Sequence, residues 1–73
     1  MSQKEQILLY IKTFGSISPM DAFADLGITK LATRVSEMRR DGIKFNIEMV
    51  NGFNRFEKPI RYARYSLVEG SNG

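Results

Sequence analysis

The chain has 73 residues, 42% of them hydrophobic, with no cysteine, no histidine and a formal charge of +3. That length supports one domain with a small core, because a chain of this size buries only about 60% of the surface its unfolded form exposes. The missing residue types exclude a disulfide framework, a thiolate or imidazole metal site and a histidine general base.

Ser2 and Glu5 have capping-box spacing, so a first helix is expected to begin at once and run to about Thr13. Ile7, Leu8, Ile11 and Phe14 fall on one face at helical spacing, while Leu9 lies off it. Gly15 supplies a left-handed stop. Ser16 and Ile17 read as a short extended link that could form a short extra strand. Ser18 then caps a second helix, with Pro19 at its first position and Asp21 in its first turn. This helix is expected to end at Leu26, capped by Gly27, with Ala22, Phe23 and Leu26 as its apolar side. Asp21 and Asp25 are one helical turn apart, but no further ligand lies near them in sequence, so a solvated face is expected and no metal or other cofactor.

Thr29 is the expected cap of a third helix that continues to about Asp41 and stops at Gly42. Leu31, Val35 and Met38 recur at core spacing and Arg39 borders them. The opposite side carries Thr29, Lys30, Thr33, Ser36, Glu37 and Arg40, with Arg34 at the Lys30 edge. After Gly42 the period becomes alternating. Ile43, Phe45, Ile47 and Met49 share one strand face, and Lys44, Asn46 and Glu48 share the other. A returning strand is expected from about Ile60 to Val68, with Ala63, Tyr65 and Leu67 inward. Asn51-Gly52 is the strongest hairpin dipeptide, but a turn there would put Pro59 inside the returning strand. The turn is therefore expected at Asn54 to Lys58, with Asn51-Gly52 as a bulge. Residues 1–68 form the expected domain and 69–73 a disordered tail.

The charge is unevenly placed. From Lys30 to Arg64 there are nine basic residues against four acidic, and from Met1 to Thr29 two against three. The order of helix, link, helix, turn, helix and basic hairpin is that of an α+β winged helix-turn-helix. A helix entering the DNA major groove needs short polar side chains for close approach, which Thr33 and Ser36 supply, and cations for guanine edges and phosphates, which Lys30, Arg34 and Arg40 supply. Glu37 could accept from a cytosine, but a surface pair with Arg34 or Arg40 is the preferred reading. The wing brings Asn54, Arg55, Lys58 and Arg61, with Arg64 on the strand, to the flanking backbone or minor groove.

The run from Ile7 to Ile43, followed by NRFEKPIRYARYSL, resembles the short winged helix-turn-helix proteins of phages and prophages of Gram-positive bacteria. The likeness covers about residues 5–67 and rests mainly on Leu31, Ala32, Arg34, Val35, Met38, Arg39 and Gly42, with Ala63, Arg64, Tyr65 and Leu67. Where that family often has a glycine in the wing turn, this chain has Phe56-Glu57-Lys58. The resemblance implies a regulatory double-stranded DNA-binding protein of the host cytoplasm; no apolar run approaches the roughly 20 residues of a membrane span, and neither enzymatic activity nor a small-molecule substrate is expected. One such unit covers too little DNA for a tight specific site, so a homodimer or a partner protein is a further expectation. The rival expectation is a winged module that docks on a host protein, with Leu9 or Phe56 as contacts. A nuclease built on Asp21 and Asp25 would need a third converging acid.

Overall fold

The computed structural model describes residues 1–68, so the expected tail at 69–73 lies outside the described residues. Three helices, α1 (Gln3–Phe14), α2 (Pro19–Leu26) and α3 (Leu31–Arg40), precede an antiparallel hairpin of β1 (Phe45–Phe53) and β2 (Pro59–Leu67). The first two expected helix starts form. Ser2 Oγ accepts from the Glu5 N–H and the Glu5 carboxylate accepts from the Ser2 N–H; Ser18 and Asp21 repeat the arrangement for α2. Each such cap is worth about 1 kcal/mol. Gly15 and Gly27 close their helices at φ 93° and 69°, left-handed geometry that a side chain would strain.

The helices wrap a core of Ile7, Ile11, Ile17, Ala22, Ile28, Leu31, Val35 and Met38, and Tyr65 of β2 enters it from the hairpin. Ile17 is the hinge of this packing. Its backbone exchanges two 2.8 Å hydrogen bonds with Tyr65, so the extra strand is a single antiparallel bridge on the outer side of β2. Ile28 is equally buried, inside the turn between α2 and α3, where its N–H donates to the Ala22 carbonyl.

Four expectations need correction. Phe14 is 69% exposed, because the last turn of α1 overhangs the core; its ring packs at a tilt against Tyr10 with centroids 4.6 Å apart. Phe23 is exposed too, since it lies about 100° around α2 from the buried Ala22. Thr29 does not cap α3: Lys30 occupies the cap position and offers no side-chain bond. There is no bulge at Asn51-Gly52, because pairing runs in unbroken register from Phe45↔Leu67 to Phe53↔Pro59.

That register explains Pro59. Backbone bonds join Asn54 to Lys58 and Lys44 to Val68, so pairs between odd-numbered residues are the non-hydrogen-bonded ones. Pro59 faces Phe53 at such a position, where its missing N–H points out of the ladder and costs nothing. The turn falls at Asn54 to Lys58 as expected. Asn54 builds it, its Oδ1 accepting from the Phe56 and Lys58 N–H groups at 2.9 and 3.0 Å. Glu57 takes the left-handed conformation (φ 62°) within this turn.

Only the base of the hairpin meets the core, through Phe45, Ala63, Tyr65 and Leu67. The molecule is accordingly elongated, 41 × 23 × 21 Å, with the hairpin projecting from the helical body.

Candidate nucleic-acid interface

Helix α3 buries Leu31, Val35 and Met38 and turns Ala32, Thr33, Ser36, Arg39 and Arg40 to solvent, with Thr29 and Lys30 exposed just before it. Arg34 and Glu37 are not on that open face. The Arg34 guanidinium donates to Glu37 Oε1 at 2.7 Å, and Lys4 of α1 approaches the same oxygen at 3.7 Å and Asp41 at 3.6 Å. Both side chains of the Arg34–Glu37 pair are about two-thirds covered, in the seam between α1 and α3. The i,i+3 pair was legible from spacing; Lys4, more than thirty residues away, was not. Arg39, expected to border the core, is exposed instead and lines a shallow cleft with Gly42, Ile43, Phe45 and Val68 at the hairpin base.

On the wing, Asn54, Arg55, Phe56 and Lys58 are exposed at the tip, and Arg61 on β2 is exposed opposite Asn51. Asn54 already commits its carbonyl oxygen to two backbone bonds, so it shapes the tip on which Arg55 and Lys58 sit. Arg64 pairs across the strands with Glu48 at 3.6 Å, on exposed ground where such a contact is worth at most about 1 kcal/mol. Tyr62 covers Gly52: a Cβ there would lie 3.5 Å from its ring.

The charged groups divide sharply by sign. Among the described residues every acid but Glu57 has a partner: Glu5 and Asp21 at helix caps, Asp25 on the Tyr10 hydroxyl at 2.6 Å, Glu37 and Asp41 on Lys4, and Glu48 on Arg64. Lys30, Arg39 and Arg40 near α3, and Arg55, Lys58 and Arg61 on the wing, form no salt bridge among the described residues. The bond to Asp25, helped by burial and nearby carboxylates, pushes the Tyr10 hydroxyl up to about 12. The backbone bond from Ser2, then its hydroxyl, holds Glu5 below the usual carboxylate range.

No group of three metal-ligating side chains occurs among the described residues, and Asp21 and Asp25 are engaged by Ser18 and Tyr10 respectively. No helix among them is long and apolar enough to cross a membrane. No curated protein and no solved structure matches the chain. A family profile described as a winged helix-turn-helix domain matches residues 2–70. Three helices and a hairpin wing, matched over nearly their whole length, therefore have a family: the chain belongs to the winged helix-turn-helix domains, a fold generally associated with binding DNA.

Proposed function

We propose that this protein binds double-stranded DNA, with α3 in the major groove and the wing on the flanking backbone or minor groove. In this reading it acts in the host cytoplasm as a phage or prophage regulator or recombination-accessory factor, without catalysis. The observation that carries the reading is the division of charge: among the described residues every acid but Glu57 is engaged by a neighbouring group, while six cations of α3 and the wing form no salt bridge. Phosphates attract such cations over distance and reward their neutralisation by counterion release.

Within that frame Thr33 and Ser36 let the α3 backbone approach base edges, while Lys30, Arg39 and Arg40 take guanine edges or phosphates. Thr29 sits exposed at the entry to α3 beside Lys30. Arg34 and Glu37 hold α3 against α1, and their role in binding is to orient the helix. Arg55, Lys58 and Arg61 contact the flanking strand from the tip that Asn54 shapes, and Arg64 contributes once Glu48 releases it.

Gel-shift selection from random duplexes at two salt concentrations tests the proposal. Enrichment of a sequence marks specific recognition. Equal salt-dependent loss of all sequences marks semi-specific, architectural binding. No shift at low salt refutes the reading. One feature favours a protein partner instead: an apolar cleft between α1 and α2, lined by Leu9, Tyr10, Phe14 and Leu26, with Leu9 half exposed. Under that alternative a Leu9→Lys variant loses its partner and keeps its DNA affinity.

A further inference from the structure

Among the described residues nothing covers the outer edge of β1. Because the even-numbered residues of β1 bond to β2, the backbone groups of Phe45, Ile47, Met49, Asn51 and Phe53 point away from it. On the other side of the hairpin the outward groups of Tyr65 are taken by Ile17, whereas nothing among the described residues takes those of β1. Exposed edges are normally blunted by proline, lysine, a bulge or a covering element. The β1 segment FNIEMVNGF has no proline, lysine or arginine, and its register is unbroken. Its single charge, Glu48, is paired inward with Arg64. Ile47 and Met49 are 47% and 49% exposed and Phe53 more so.

We propose that a second copy of this chain pairs with β1, antiparallel, about a two-fold axis at Met49. Met49 then faces the partner's Met49 and exchanges both backbone bonds with it. Ile47 faces the partner's Asn51, and Phe45 faces the partner's Phe53. Three features select this register. It is the two-fold pairing that uses the whole strand, since Met49 is the middle of the nine residues Phe45–Phe53. Shifting it one step toward the start of β1 sets Glu48 directly against the partner's Glu48, a repulsive cross-strand pair. It also delivers each exposed Phe53 to the partner's hairpin base, where Ile43, Phe45 and Val68 line the apolar part of a cleft. One end of β1 thus offers a phenyl group and the other offers a place for it, so a single two-fold contact fills both clefts and closes the assembly. The proposal does not depend on DNA binding.

Sedimentation equilibrium of the protein alone should give twice the 8.4 kDa chain mass. Met49→Lys should restore the monomer while keeping the helical circular dichroism and a cooperative melt, because Met49 is half exposed in the monomer. Should that variant fail to fold, cysteine pairs decide. The chain has no cysteine of its own, and residues facing in a hydrogen-bonded antiparallel pair lie about 5.5 Å apart, within disulfide reach. Met49→Cys should oxidise to a linked dimer and Leu9→Cys, similarly exposed, should not. A wild-type monomer at hundreds of micromolar, a dimer that survives in a folded Met49→Lys protein, or equal linking of both cysteine variants would overturn the proposal.

Discussion

In the helical body every acid is engaged by a neighbouring group, whereas on the hairpin overhang Arg55, Glu57, Lys58 and Arg61 are left to solvent. Around α3, Arg34, Glu37, Asp41 and Lys4 form one network, and Ser2, Ser18 and Tyr10 tie down further acids. Among the described residues the hairpin beyond Ala63 has no core beneath it, and Arg55, Lys58 and Arg61 stand there without salt-bridge partners. The contrast separates two tasks. The body is organised to hold itself together, and the overhang is organised to meet something else. Helix α3 belongs to both, with one flank sealed against α1 and an outer face that is free.

Substitution in the two regions should break along that line. Ile28→Ala or Met38→Ala empties a fully buried site and should cost about 2–5 kcal/mol, enough to unfold much of so small a domain. Phe56→Ala, at an 80% exposed tip residue, should stay within about 0.5 kcal/mol in the same urea titration. Equal effects would mean that the tip is part of the stabilising structure. Cations should divide in the same way. Arg40→Ala combined with Arg55→Ala should leave stability unchanged and reduce the salt slope of duplex binding by about 2. Arg34→Ala should instead lower stability by up to about 1 kcal/mol, read by thermal melting, and leave the slope nearly as it was.

Much of the body could be read from neighbouring residues, because its signals are local. A serine three residues before an acid, a proline after a cap and a glycine at a helix end each act within one turn, and Ser2, Ser18, Gly15 and Gly27 all behave as their spacing suggests. Pro59 placed the wing turn correctly against the pull of Asn51-Gly52, because a missing N–H constrains a ladder more strongly than a turn preference does. What local pattern could not show was where the core ends. Phe14 lies on the correct face of α1 but beyond the last residue that packs beneath it. Ile17 and Ile28 look like isolated apolar residues in links, yet each is a pillar of the core because the chain turns inward there. The candidate site was legible in residue type and less so in state. Six of its cations have no salt-bridge partner among the described residues, and Lys4 joins the local Arg34–Glu37 pair from α1, a contact that only the fold creates.

Smaller effects sharpen the picture. Glu57 holds a left-handed conformation that costs a non-glycine residue about 1–2 kcal/mol. Glu57→Gly relieves that strain but adds flexibility to the unfolded chain, so a net gain of no more than about 1 kcal/mol is expected in the melt. The same change removes the one unpaired acid of the wing, and duplex affinity should rise. The pH profile should be gentle at both ends. Glu5 is held below its ordinary range in the fold, so its contribution is present above the unfolded carboxylate range and fades as pH falls through the folded value. Tyr10 is raised to about 12 from 10, so its contribution is intact below pH 10 and is lost as pH climbs toward 12. A Tyr10→Phe variant should lose that alkaline limb in a melting series; a limb that persists would place the titrating group elsewhere.

The most direct test of the central claim is the salt dependence of binding to a short duplex, measured by fluorescence anisotropy across a series of ionic strengths. Neutralisation of four to six phosphates by the free cations of α3 and the wing predicts that log affinity falls with log salt at a slope of about −4 to −5. A slope near zero, or no binding at low salt, would contradict the account.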